Sequence, residues 1–293
     1  MTTVSSIWTN YENLILSTTN PKSIITETGR WNHHILPYFG PDYPAENITN
    51  LEILKFRTRL AKKGLSPQTI KHCLSLLRRV LNRAHHWGFI STTLPNFEMP
   101  KFDNKRIRFL TQEEAKTLLI ELSLTGTIWH DISLLALHTG LRAGEIFKLQ
   151  SCHVDNSGNY LHILDTKTSN NRTIPLNDTA LAVIKRNLRS RGSIFRDRNN
   201  KQFRYVGRVF RRAVNECQLN SNTRDRRQLV VFHTLRHTFA SWLVQAGTPI
   251  TVVSQLLGHK NIQMTMRYAH LAPSQGALAV KELDQLTPSV NIR

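Results

Sequence analysis

The sequence predicts a mainly α-helical chain with one small β-hairpin, an α+β protein divided into two domains by a short basic linker. Three observations carry this. Apolar residues recur at helical spacing through most of the chain. One island breaks the pattern: Tyr160-Leu161-His162-Ile163-Leu164 and Arg172-Thr173-Ile174-Pro175-Leu176 read as two strands flanking a polar turn. Between Pro100 and Leu110 lies Lys101-Phe102-Asp103-Asn104-Lys105-Arg106-Ile107-Arg108, basic and without amphipathic pattern. A length of 293 residues suits about two domains. The expected division is a helical domain over 1–100, a linker over 101–110 and a larger domain over 111–293.

In the first domain Ile24, Thr28, Trp31 and Ile35 keep helical spacing, as do Ile53, Phe56 and Leu60. The clearest helix starts with Ser66 as N-cap and Pro67 at the first helical position. Ile70, Cys73, Leu74, Leu77, Leu81, Ala84 and Trp87 form its buried stripe, and Gly88 ends it. The opposite face carries Lys71, Arg78, Arg79, Asn82, Arg83 and His86. A basic face of this kind suits a DNA groove or backbone, with Lys71, Arg78, Arg79 and Arg83 as the contacts. A solvated helix in a bundle is the alternative.

Thr111 with Glu114 forms a capping box that opens the second domain. Further helices are expected over 179–189, 202–216, 234–245 and 251–257. On the second of these, Arg204, Arg208, Arg211 and Arg212 share one face, and Phe203, Val206, Phe210, Ala213 and Val214 the other. Asn170-Asn171 marks the hairpin turn, since asparagine tolerates positive φ.

Charge narrows the partner. Hydrophobic residues make up 40% and charged residues 20%, the balance of a folded protein. The formal net charge is +19 and the pI about 10.4. A polyanionic partner follows, nucleic acid first and membrane lipid second. From Lys185 to Arg227, 14 lysines and arginines against three acids leave a net of +11. Phosphate contact is expected there and along the linker, through Lys101, Lys105, Arg106 and Arg108. No apolar run approaches the roughly 18 residues that span a bilayer. The opening Met-Thr-Thr-Val-Ser-Ser has no basic stretch leading into an apolar one, so a cytoplasmic location is expected. Cys73, Cys152 and Cys217 are odd in number and far apart, which speaks against a disulfide framework.

Four short strings carry chemistry. In Thr139-Gly140-Leu141-Arg142, Gly140 ends one helix and Arg142 stands at the start of the next, where an anion is favoured. Glu145, one turn on, can hold a site side chain by a charged hydrogen bond. In His233-Thr234-Leu235-Arg236-His237, His233 and Arg236 share a helical face. His233 and His237 have a zinc-like spacing, but no Glu follows His233 and the nearby arginines repel a cation, so no metal is expected. In Leu256-Leu257-Gly258-His259, Gly258 permits a tight helix end and His259 then projects from it. Tyr268 follows nine residues later. Lys167 sits just before the hairpin turn in Asp165-Thr166-Lys167-Thr168.

Together these residues suit the cutting and rejoining of a phosphodiester through a covalent tyrosine. Attack at phosphorus builds charge on the non-bridging oxygens, which the guanidiniums of Arg142 and Arg236 take in bidentate fashion, with His259 as a further donor. A tyrosine pKa of about 10 makes proton removal useful, and His233 is the candidate base. The departing 5′ oxygen needs a proton, and Lys167 is the candidate acid. The sequence has no P-loop and no aspartate cluster suited to two metals, so neither ATP nor any other cofactor is expected.

The order and wording of these strings resemble the tyrosine recombinase (phage integrase) family, over most of the chain. Thr-Gly-Leu-Arg-x-Gly-Glu matches the family's first catalytic arginine at Arg142. Lys167-Thr168, with Arg172 and Ile174-Pro175-Leu176, matches its β-hairpin lysine. The resemblance implies a two-domain clamp on double-stranded DNA, a 3′-phosphotyrosine intermediate on Tyr268, and a homo-tetramer on paired sites. Accessory DNA-bending or directionality proteins are further partners it implies. The tail 272–293, with the apolar pattern Ala279, Leu283 and Leu286, can cap its own domain; the resemblance implies instead that it docks on a neighbouring protomer. Many phage members carry an additional arm-site-binding module at the N-terminus, which this sequence either lacks or has lost. Two other readings stay open. A type IB topoisomerase-like enzyme shares the chemistry, and a DNA-binding protein that no longer cuts shares the charge. Intact Arg142, Arg236, His259 and Tyr268 argue against the second.

Overall fold

In a computed structural model, residues 2–102, 108–155, 157, 159–164 and 171–273 are described. The chain falls into two compact units, Met1–Asn104 and Lys105–Arg293. The break lies inside the segment read as a linker. Lys105, Arg106, Lys167, Asn170 and the apolar tail positions Ala279, Leu283 and Leu286 lie outside the described residues.

The first unit is helical. Thr3 caps α1 (Val4–Leu14), and Asn20 caps α2 (Pro21–Arg30), which has proline in its first turn. α2 runs on into a π-helical stretch, Trp31–Ile35, and then the short α3 (Leu36–Phe39). The expected spacing continues through this stretch, although only Trp31 and Ile35 are fully buried. Thr49 caps α4 (Asn50–Lys62) and Ser66 caps α5 (Pro67–His86). Trp8 stacks on Trp31 with centroids 4.4 Å apart, beside fully buried Phe56, Leu74 and Leu77. Leu76 and Val80 widen the buried stripe of α5, whereas Trp87 is its half-buried C-cap. Lys71, Arg78, Arg79 and Arg83 are all exposed. Arg79 pairs with Glu27 at 2.9 Å, and Lys71 sits 5.7 Å above the Phe102 ring.

The second unit opens as its capping box predicts: Thr111 Oγ1 accepts from the Glu114 backbone and Glu114 Oε2 from the Thr111 backbone. α6 (Gln112–Thr125), α7 (Thr127–Thr139) and the one-turn α8 (Ala143–Phe147) follow. β1 (Tyr160–Ile163) pairs antiparallel with β2 (Arg172–Pro175), with Ile163 opposite Arg172, and buries Leu161, Ile163 and Ile174. Then come α9 (Asp178–Asn187), α10 (Arg208–Glu216), α11 (Phe232–Gln245) and α12 (Ile250–Leu257). A final 3₁₀ turn, Met266–Leu271, carries Tyr268. Among the described residues no helix is long and apolar enough to cross a membrane.

One expected element is shorter than its pattern. α10 begins at Arg208, so Arg204 lies outside it and only Arg208, Arg211 and Arg212 share its exposed face. Tertiary contacts override the helical spacing here. Phe203 packs against Trp129 and Phe147, with centroids 5.2 and 5.8 Å apart. Gln202 Nε2 donates to the Phe147 carbonyl at 2.7 Å. Gly207, extended at φ −67° and ψ 170°, approaches the Trp129 ring too closely for a side chain.

Candidate active site

α11 is buried on nearly every side, and the centre of its buried stretch is polar: Arg236, His237 and Thr238. Such residues are tolerated inside a core only when their polar atoms are bonded. Thr238 Oγ1 donates to the Thr234 carbonyl and accepts from the Leu110 backbone. Arg236 is 3% exposed and donates Nη1 to the Gly140 carbonyl at 2.7 Å and Nη2 to the Leu257 carbonyl at 2.6 Å. Both acceptors sit at helix ends, where carbonyls lack intrahelical partners. Arg236 thereby ties the turn before Arg142 to the turn before His259. Burial, and then the charge of Arg142, lower its pKa to about 9, which leaves it cationic at pH 7.

The two turns depend on glycine. Gly140 and Gly258 cap α7 and α12 in the left-handed region, each at φ 63°. A Cβ on Gly140 would lie 2.5 Å from the Phe239 ring. One on Gly258 would lie 2.7 Å from Arg172 Cδ.

Arg142 is the N-cap of α8. Its backbone N–H donates to Glu145 Oε2 at 2.7 Å and its Nη1 to Glu145 Oε1 at 2.9 Å. Arg142 is more open than Arg236, with a side chain 39% exposed, so part of its guanidinium faces solvent. Glu145 therefore holds one arginine in place. It also holds a second one: Arg172 on β2 donates Nη1 and Nη2 to the two Glu145 oxygens and Nε to the Leu256 carbonyl. Burial alone would raise the Glu145 carboxyl, but hydrogen bonds and charge from Arg172 and Arg142 hold it below the usual carboxylate range. In the sequence Arg172 reads only as part of a hairpin pattern. It is the joint between β2, α8 and α12.

His259 Nδ1 lies 2.7 Å from the hydroxyl of fully buried Thr265. Burial, then Arg236 and Arg142, lower its pKa to about 4. At pH 7 the ring is neutral. A neutral imidazole has one donor and one acceptor nitrogen, and the bond to Thr265 sets which is which.

Tyr268 is 6% exposed, packed in a small cluster with Phe239, Ala240, Val244, Val253 and Leu257. Burial raises its pKa, opposed by Arg267 and Arg236. Its hydroxyl lies 2.5 Å from His237 Nδ1. The structure thus brings Arg142, Arg236, His259 and Tyr268 around the ends of α7 and α12. His233 is exposed on the first turn of α11, its ring packed edge-on against His237 with centroids 4.9 Å apart. In the sequence His237 stands out only as half of a zinc-like pair. The signal for it is its place beside Arg236, one helical turn beyond His233.

Among the basic residues expected on DNA, Lys71, Arg78, Arg83, Lys101, Arg204, Arg208, Arg211 and Arg212 are exposed. Arg212 is loosely paired with Glu216 at 3.8 Å. Arg108 is half-buried and engaged: Nη2 donates to Glu114 at 2.5 Å and Nη1 to the Phe109 carbonyl at 2.6 Å.

The sequence pattern of the phage integrase family matches residues 108–275. The integrase of Salmonella phage P22 is 31% identical over 225 residues, which cover 73% of this chain. The match spans only 56% of the P22 protein's length. The Tn1549 transposon integrase, solved with a circular-intermediate DNA, superposes with a TM-score of 0.77 at 19% identity, over 97% of this chain and 100% of that one. A λ integrase tetramer bound to a Holliday junction gives 0.72 at 22% identity, over 89% and 78%. The chain belongs to the phage integrase family of tyrosine recombinases.

Proposed function

We propose that the chain is a site-specific DNA recombinase that cleaves and rejoins double-stranded DNA through a 3′-phosphotyrosine on Tyr268. The observation that carries this is Arg236 bridging the Gly140 and Leu257 carbonyls, which keeps Arg142, His259 and Tyr268 in one neighbourhood. The Tyr268 oxygen attacks phosphorus and the bond to the 5′ oxygen breaks. Arg142 and Arg236 stabilise charge on the non-bridging oxygens, and neutral His259 donates a hydrogen bond. In this reading the guanidiniums supply the positive charge that metal ions supply in other phosphoryl transfers. Lys167 protonates the leaving oxygen. The covalent intermediate conserves the bond energy, so rejoining needs no ATP.

Both units bind the duplex, with Lys71, Arg78, Arg83, Arg208 and Arg211 on phosphates. Four copies act on two paired sites, by analogy with the λ integrase tetramer on a Holliday junction. Accessory DNA-bending or directionality proteins would join that assembly, and the tail 272–293 would dock on a neighbouring copy. The test is incubation with supercoiled plasmids followed by SDS. Covalent adducts on plasmids bearing one particular sequence support the recombinase. Relaxation of any plasmid favours the topoisomerase-like reading, and binding without adducts favours a protein that no longer cuts.

A further inference from the structure

The atom that attacks in the proposed reaction already has a partner, and it is not the histidine expected from the sequence. Tyr268 and His237 are 6% and 5% exposed, and 2.5 Å separates the hydroxyl from Nδ1. His233 packs edge-on against the His237 ring, at 85°. A buried phenol cannot pass its proton to bulk water. We propose that His237 is the catalytic base that takes the proton from Tyr268, an assignment that rests on the recombinase reading.

For this transfer the imidazole must carry its hydrogen on Nε2, so that Nδ1 accepts from the hydroxyl. On cleavage the O–H bond breaks and an Nδ1–H bond forms. The phenolate oxygen bonds phosphorus, and the bond from phosphorus to the 5′ oxygen breaks as that oxygen takes a proton from the general acid. Rejoining reverses each transfer. His233 stands at the exposed edge of the pair.

The experiment uses full-length protein and a plasmid on which the native chain forms SDS-resistant adducts. His237→Asn and His237→Gln keep a short polar side chain that can accept a hydrogen bond but not a proton. Each is expected to bind the plasmid with unchanged affinity and to form adducts about 10² to 10⁴ times more slowly. Replacing Tyr268 with 3,5-difluorotyrosine lowers the phenol's own pKa and so its need for a base. That replacement is expected to restore most of the rate in the His237 variants but not in Arg142→Ala. Adduct rates within threefold of native in either variant overturn the proposal. So does a fluorotyrosine gain no larger for His237→Asn than for Arg142→Ala. If the native chain forms adducts on no plasmid, the recombinase reading itself fails, and this assignment with it.

Discussion

Arg172 and Glu145 are joined by two parallel hydrogen bonds, Nη1 to Oε1 at 3.0 Å and Nη2 to Oε2 at 2.9 Å, between side chains 11% and 13% exposed. The pair fixes β2 against the first turn of α8, and so fixes Arg142 as well. Removing one member of a buried pair strands the other's charge, at a cost of about 3 kcal/mol or more. Glu145→Ala should lower the free energy of unfolding in urea by about that much, and Arg172→Ala by less, since Glu145 keeps its bonds to Arg142. The double variant should cost clearly less than the two together, because the bond between these two side chains is lost only once. Additive effects would show that the two side chains are not coupled.

Gly258→Ala should cost more than Gly64→Ala. Both glycines have positive φ, 63° and 75°, so both variants carry the backbone strain of about 1 kcal/mol. A Cβ on Gly64 would have no atom within 4 Å, whereas one on Gly258 would meet Arg172 Cδ at 2.7 Å. Only Gly258→Ala must therefore displace Arg172, and only it should slow strand cleavage. Thermal unfolding and an adduct assay, run on both variants, separate the two contributions.

His259 gives a pH dependence with a definite sign. Its pKa falls from an ordinary 6.5 to about 4 in the folded protein. The unfolded chain therefore binds a proton that the folded chain refuses. The associated stability is fully present above pH 6.5 and is lost as pH falls toward about 4. His259→Asn should flatten the thermal midpoint across that window. His138, also lowered by burial, will keep part of the slope. An unchanged slope would mean that His259 titrates normally in the folded state.

DNA affinity should fall steeply with salt. Each phosphate neutralised by the exposed Lys71, Arg78, Arg83, Arg208 and Arg211 contributes a slope of roughly −0.9 in log K against log salt. Alanine at any one of them should make the slope shallower by about one. A native slope between zero and about −2 would contradict binding by both units.

What can be read from the sequence is local. Ser66-Pro67, the Thr111–Glu114 box and the capping glycines Gly140 and Gly258 each fix a helix end with residues only a few positions apart, and the structure has all of them. The strings around Arg142, Arg236, His259 and Tyr268 are legible for the same reason. The contacts that assemble them are not. Glu145 meets Arg172 across 27 residues and His237 meets Tyr268 across 31, so no spacing rule links either pair. Arg204 falls outside its expected helix although the helical pattern over 202–216 is genuine, because the packing of Phe203 on Trp129 and Phe147 prevents the first turn from forming.

The most direct test of the account is Tyr268→Phe, which removes one oxygen from a packed ring. It should unfold cooperatively, with stability lowered by about 1 to 3 kcal/mol for the lost bond to buried His237, since the ring keeps its contacts with Phe239 and Leu257. It should bind a plasmid that the native chain cleaves with undiminished affinity, and SDS should release that plasmid free of protein. A covalent adduct formed by Tyr268→Phe would mean that another residue attacks phosphorus, and the site built around Tyr268 would not be the site of cleavage.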